Sequence, residues 1–314
     1  MKTFVLAAVA TGAFAGQAQA RDLNLMAPAG AGGGWDSAAR AVQETMTATG
    51  LADSAQVYNV PGAGGSVGLA QFIGQAGGDP NQLLVGGITM VGAIISNAAP
   101  VDLTQVTPIA RLTGDPLVVA VPASSEIQTI DDLLAAVQAD VGGTIWAGGS
   151  AGGADHMLAA LITQAAGGDL AQLNYVAYSG GGEALAAMLG GQVTAGVSGY
   201  GEWQPQIESG DLRALAISYP EPIEGIEAQP LKAQGVDVEL VNWRGVFAGP
   251  DISEEDKAAL STAFEQMVAS PEWQETLAAR GWTDYYQPAD EFATFLTGET
   301  ERVGGILEAV GLAQ

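Results

Sequence analysis

The sequence predicts an α/β fold, and three observations carry that expectation. Short apolar runs of strand length alternate with segments of helical spacing, which indicates a mostly parallel sheet covered by helices. Four strand-to-helix junctions are glycine-rich, at Gly30–Gly34, Gly62–Gly68, Gly148–Gly153 and Gly180–Gly182. Beyond Ser253 the pattern turns helical, giving a helical C-terminal region.

The elements follow in order. Leu23 to Met26 is the first apolar run, and Val42 and Met46, four apart, mark one face of the helix after it. The joint between them, Ala27 to Arg40, reads APAGAGGGWDSAAR. Asp36 stands where a helix N-cap is expected, its carboxylate able to accept from the first free N–H groups. Ala55 to Val60 is a strand, and a second joint containing Gly64 and Ser66 leads into a helix near Leu69 to Gln75. Leu83 to Val85 is a buried strand, followed by a helix from Met90 to Asn97. Val106 to Leu112 and Leu117 to Val121 are two strands with a Gly114-Asp115-Pro116 turn between them.

A second unit opens at Thr129, where Thr129-Ile130-Asp131-Asp132 has the pattern of a capping box. Thr144 to Ala147 is a strand, the third joint holds Ser150, Gly152, Gly153 and Ala154, and a helix runs through Leu161. Leu173 to Ala177 is a strand, the fourth joint holds Ser179 and Gly180, and a helix covers Ala184 to Leu189. Val193 to Val197 and Leu212 to Ile217 are strands around a helix at Trp203 to Ile207. Val238 to Val241 and Val246-Phe247 are short strands. The rest reads as helical: Ser253 caps a helix through Val268, Pro271 starts another, and Pro288 precedes a last one ending near Ala309.

Composition excludes several function classes. Lys and Arg total 10 against 35 Asp and Glu, a net charge of −25, so the basic footprint of a nucleic-acid binder is missing. The same charge argues against an anionic membrane surface, but not against a small anion, because N–H groups act at contact distance and surface charge is screened beyond about 10 Å. No cysteine is present, and the one histidine is His156, so neither a thiol nucleophile nor a zinc site is expected. Met1 to Ala20 has a lysine, an apolar stretch and the small-residue site Ala18-Gln19-Ala20, the pattern of a secretory signal peptide.

A strand, a glycine loop and a helix start make an anion cradle, since the first helical turn leaves N–H groups unpaired at the positive end of the macrodipole. A tight turn without a ligand gives the same pattern. Gly148 to Gly152 contains G-x-S-x-G with Ser150 at its centre, which raises a secreted serine hydrolase as an alternative. His156 lies six residues on in the same helix, poorly placed to serve Ser150. Glycines at 30 and 32 are followed by Trp35 where a dinucleotide fingerprint needs a third glycine, and no Walker loop occurs. Trp35 and Tyr200 read either as an aromatic wall of a cleft or as packing, and His156 as a packed residue or a cleft donor.

The motifs in their order resemble those of the periplasmic solute receptors of tripartite tricarboxylate transporters. The likeness rests on Pro28 to Asp36 with Ala39-Arg40, Asn59 to Gly68, Gly149 to Gly153 with Asp155-His156, Tyr175 to Glu183, Gly190 to Val193, Gly210 to Ala216 and Asn242 to Gly245, covering nearly the whole chain after residue 20. The resemblance implies a periplasmic, two-domain binding-protein architecture with a ligand cleft between the domains. Domain 1 would be 21–121 plus 242–314 and domain 2 would be 122–241. It implies a carboxylate held by Gly32, Gly33, Gly34, Trp35 and Asp36 of the first loop and by Ser150 to Ala154 of the other. Thr89, Ser179 and Gly180 would lie on neighbouring loops, and Arg244 is the best cationic exception to binding by N–H groups. The Gly33-Gly34-Trp35-Asp36 version tilts the ligand toward citrate-like tricarboxylates, with dicarboxylates also open. The implied function is capture and delivery to a membrane permease by a monomer, without cofactor, metal or catalysis. A carboxylate sensor for a membrane kinase is the further alternative.

Overall fold

The computed structural model describes residues 21–313, and the signal-peptide expectation lies outside them. Strands β1 (Arg21–Ala27), β2 (Ala52–Asn59) and β3 (Gln82–Gly87) are joined by helices α1 (Gly34–Ala48) and α2 (Ser66–Gln75). β1 pairs in parallel with both β2 and β3, so it lies between them. Helix α3 (Ile88–Ser96) then leads to β4 (Thr107–Pro122) and α4 (Ile130–Ala139). The pattern recurs: β5 (Ile145–Gly148), α5 (Ala154–Ala165), β6 (Asn174–Ala177), α6 (Gly181–Leu189) and β7 (Ala195–Gly199), with β5 parallel to both β6 and β7. Helix α7 (Tyr200–Glu208), β8 (Leu212–Ile217) and β9 (Val241–Ala248) follow. Helices α8 (Glu254–Val268) and α9 (Pro271–Arg280), β10 (Thr283–Pro288) and α10 (Ala289–Ala309) complete the described chain.

The strand order is β2-β1-β3-β9-β4-β7-β5-β6, with β8 and β10 also on β4. Each half therefore has its first strand in the middle of a parallel trio, and β4 stands between the trios. Successive crossovers leave the central strand on opposite sides, so the C-terminal ends of β1 and β5 are topological switch points, where loops diverge and leave room for a ligand.

Three expectations need correction. The Gly114-Asp115-Pro116 turn is instead the middle of one 16-residue strand, with Gly114, Asp115 and Pro116 opposite Trp243, Asn242 and Val241. Proline disfavours the helical region for the residue before it, and an extended Asp115 sends its carboxylate to Arg244. The β4–β9 register shifts between Pro108 and Ala110 and between Arg111 and Thr113, and β4 passes to β7 from Leu117 onward. The two short strands at Val238–Val241 and Val246-Phe247 are replaced by β9 alone. The tail is not wholly helical, because β10 pairs antiparallel with β4. Its polar, half-buried sequence, TDYYQP, lacks the apolar alternation that marks a strand.

The core follows the trios. Leu25 and Met26 of β1, Leu84 of β3, Val246 and Phe247 of β9 and Phe292 of α10 are fully buried in the larger cluster. β4 divides its faces, Leu117, Val119 and Val121 entering that cluster and Val118 and Ala120 a smaller one with Trp203 and Ile217. The expected caps Thr129 and Ser253 each accept a backbone N–H at their helix start, as does Ser270 before Pro271.

Candidate functional site

The first and third joints have the same construction. Gly32 and Gly152 both take positive φ, 82° and 73°, a region that a side chain would strain. One residue on, Gly33 and Gly153 are the N-caps of α1 and α5, with nearly equal backbone angles. The Gly33 N–H donates to Gly30 O (3.2 Å) and the Gly153 N–H to Ser150 O (2.9 Å). The residue at the third helical position closes each loop from below: the Gly32 N–H donates to Asp36 Oδ2 (2.8 Å), and the Gly152 N–H to His156 Nδ1 (3.2 Å).

Asp36 is therefore inside α1, not its cap, because Gly33 already provides the extended turn. Its buried carboxylate also accepts from Asn59 Nδ2 (2.9 Å) and two nitrogens of Arg40 (2.9 and 3.0 Å). Burial pushes its pKa up, but the donors Arg40, Gly32 and Asn59 outweigh that and hold it below the usual range. His156 stacks on Tyr175 with ring centres 4.0 Å apart, and burial lowers its pKa to about 4. Since its Nδ1 accepts, the ring is neutral with its proton on Nε2. It faces Gly152 and Tyr175, not Ser150.

Apart from α10, which follows Pro288, the helix starts divide into two groups. α4, α8 and α9 are capped by Thr129, Ser253 and Ser270. α1, α2, α3, α5, α6 and α7 have glycine N-caps and no side-chain cap bond. The first intrahelical bonds of α1 and α5 come from Ser37 and Met157. The N–H groups of Gly34, Trp35 and Asp36, and of Ala154, Asp155 and His156, thus have no acceptor in their own helix. Such a pair of starts can hold anionic oxygens.

Helix α3 ties the joints together. Thr89 Oγ1 accepts the Ala154 N–H at 3.2 Å. Gly92 lies so close to Gly152 O that a Cβ there would collide with it. Gly64 packs on Ala93, and Gly65 lies under the Trp35 ring. Ser66 is buried, its hydroxyl turned to Ala63 O (2.9 Å). The fourth joint is more peripheral: Ser179 is exposed, Gly180 half-buried, and the Ser179 N–H donates to Glu183 (3.1 Å). Tyr200 is buried at the start of α7 near Gly281, so it packs in the smaller core.

Arg244, on β9, is buried and bonds Asp115 of β4. A Cβ on Gly34 would stand 2.7 Å from Arg244 Nη2, which puts the guanidinium against the start of α1. The Asp115 carboxyl lies against Gly199, at the start of α7. Burial raises Asp115 to about 6 against the pull of Arg244, and raises Asp155 to about 7 against the Gly149 N–H, which donates to it at 2.7 Å; Glu202 adds repulsion to both. Sequence reasoning missed Asp115, read as a turn residue, and Gly92, although a glycine amid helical spacing signals a close approach.

A cavity of about 430 Å³ lies on the α10 face, lined by Trp243, Tyr285, Phe295, Glu299 and Arg302. There Glu299 accepts from Trp243 (3.0 Å) and twice from Arg302 (2.8 Å). Among the described residues no group of three or more His, Cys, Asp or Glu stands where it could hold a metal ion, and no helix is long and apolar enough to cross a membrane.

A family model described as "Tripartite tricarboxylate transporter family receptor" matches residues 38–312. Protein BugT of Bordetella pertussis is 27% identical over 298 residues, covering 93% of this chain and 90% of its own. MatC from Rhodopseudomonas palustris, solved with bound malate, has a TM-score of 0.80 at 21% identity over 91% of this chain and 99% of that one. An R. palustris protein solved with adipate has a TM-score of 0.83 at 19% identity, covering 93% and 98%.

Proposed function

The chain belongs to the tripartite tricarboxylate transporter receptor family, and on that premise we propose that it is an extracytoplasmic solute-binding protein that captures a small carboxylate and delivers it to the membrane permease of such a transporter. The observation that carries this reading is the repeated loop, which presents N–H groups with no acceptor in their own helix at the starts of α1 and α5, the Ala154 N–H being held by Thr89 Oγ1. One carboxylate oxygen pair accepts from the Gly34–Asp36 end, and the Ala154–His156 end takes another oxygen of the same ligand or a bridging water. Gly32, Gly33, Gly152 and Gly153 shape the loops, and Asp36 and His156 fix them. Trp35 walls the site, and Thr89 stands beside the second anion end.

The division into 21–121 plus 242–314 and 122–241 places β4 and the approach to β9 as the crossings between domains. Closure about them would bring the two loops onto one ligand and exclude water. The Thr89–Ala154 bond and the Gly92–Gly152 contact support α3 as the closing surface. Malate and adipate, held by the two structural neighbours, favour a dicarboxylate over the citrate-like acid that the loop sequence suggests. The family is one of receptors, and His156 gives its Nδ1 to Gly152, which leaves the Ser150 hydrolase reading without a base. The periplasm is the compartment of such receptors and suits the leader-like residues 1–20, with cleavage after Ala20.

The test is thermal unfolding and calorimetric titration of the chain from Arg21 onward against succinate, malate, citrate, adipate and glutamate. A ligand at 100 times its dissociation constant is expected to add about 2.7 kcal/mol, a rise of several degrees. Saturable binding of at least one acid supports the reading. Binding of none, with ester hydrolysis abolished by Ser150→Ala, would replace it with the hydrolase.

A further inference from the structure

Three buried polar atoms of β4 and β9, grouped around the Arg244 guanidinium that lies against Gly34, are satisfied by no protein group. Thr113 Oγ1, Asp115 Oδ1 and Arg244 Nη1 have no hydrogen-bond partner among the described residues, and their residues are 1%, 1% and 4% exposed. They form one group. Thr113 and Asp115 are two apart on one face of β4, and Thr113 lies opposite Arg244 in the β4–β9 register. Asp115 and Arg244 are bonded through their other atoms, Oδ2 and Nη2. Buried polar atoms are nearly always paired, so three together call for a partner that the chain does not provide.

The chemistry of the three atoms defines that partner. Arg244 Nη1 only donates, an ionised Asp115 only accepts, and the Thr113 hydroxyl does either. A carboxylate oxygen would satisfy Arg244 but be repelled by Asp115, and an ammonium would do the reverse. A hydroxyl accepts from Arg244 and donates to Asp115, leaving the pair's charge balance unchanged. The position fixes where this hydroxyl sits on a ligand. The guanidinium lies against Gly34, the first residue of α1, and hence beside the N–H groups assigned to the carboxylate. The carbon next to that carboxylate is therefore the one that faces the group.

We infer that Thr113, Asp115 and Arg244 form a hydroxyl-recognition subsite, and that the ligand class of this receptor is the 2-hydroxycarboxylates. The inference rests on the carboxylate-receptor reading above and adds the residues that choose among carboxylates. Leaving these buried groups unpaired under a deoxy ligand is what gives the discrimination.

The experiment is calorimetric titration with two matched pairs, malate against succinate and citrate against tricarballylate, on the native chain and on Thr113→Val and Thr113→Ser. The native chain is expected to bind the hydroxy acid of at least one pair about tenfold or more tightly than its deoxy partner. Thr113→Val is expected to shrink that ratio several-fold, and Thr113→Ser to retain it. Should Thr113→Val not fold, the native pairs and Thr113→Ser still decide. Equal affinities within both pairs would overturn the subsite and leave the group as a water site only, with the receptor reading intact. An undiminished ratio in a folded Thr113→Val, or loss of the ratio in Thr113→Ser, would also overturn it. Binding of neither member of either pair, with other carboxylates bound, would overturn the hydroxy-acid class. Binding of no carboxylate at all would overturn the receptor reading itself.

Discussion

Two ionisable side chains at the start of α5 have pKa values moved by burial, and they pull stability in opposite directions with pH. Asp155 is raised to about 7, so the folded chain holds its proton where the unfolded chain has lost it. The stability linked to it is fully present below the ordinary Asp range and declines as pH rises from about 4 to 7. His156, lowered to about 4, contributes the reverse: stability rises with pH between about 4 and 6.5, as the neutral ring no longer competes with a protonated unfolded one. Asp155→Asn retains an acceptor for the Gly149 N–H and removes the titration. Its stability relative to the native chain is expected to rise with pH between about 4 and 7, by at most about 1.4 kcal/mol per pH unit, in denaturant unfolding at a series of pH values. A constant difference would mean that Asp155 titrates normally. Arg244 calls for a different substitution strategy. Arg244→Ala leaves Asp115 buried without its partner and is expected to destabilise by about 3–5 kcal/mol, so a lost affinity in that variant would not by itself report a ligand contact.

At the scale of elements, the repeated loop shows how much the sequence discloses. The glycine joints, the Thr129 and Ser253 caps and the bounds of α8 and β8 were legible, because capping and apolar periodicity are local. The passage of β4 through Asp115-Pro116 was not, since the partners that keep it extended, Trp243 to Val241, lie more than a hundred residues away. β10 was hidden for a similar reason, its half-buried residues being polar or aromatic. The equivalence of Asp36 and His156 was also out of reach, because different side chains satisfy the same kind of N–H. The loop's dependence on α3 gives a test: Thr89→Val removes the acceptor of the Ala154 N–H with little change of shape. A loss of about 1 kcal/mol, or roughly 2–4 °C in Tm, is expected for the ligand-free chain. An unchanged Tm would show that this bond adds nothing to the contact between α3 and α5.

The whole molecule carries a charge of −25 and is proposed to bind an anion. Long-range repulsion then opposes encounter, while the local N–H groups act only at contact. The association rate for a dicarboxylate is expected to increase with ionic strength as screening shortens the field, in stopped-flow tryptophan fluorescence. A rate that falls with salt would point to a local positive field at the entrance. One carboxylate ligand is proposed to engage both helix starts. The most direct measurement is a backbone-amide NMR titration with the acid that binds most tightly in calorimetry. The amides of Gly34 to Asp36 and of Ala154 to His156 are expected to move together, with one dissociation constant. Saturable binding that shifts other amides and leaves either set in place would contradict it.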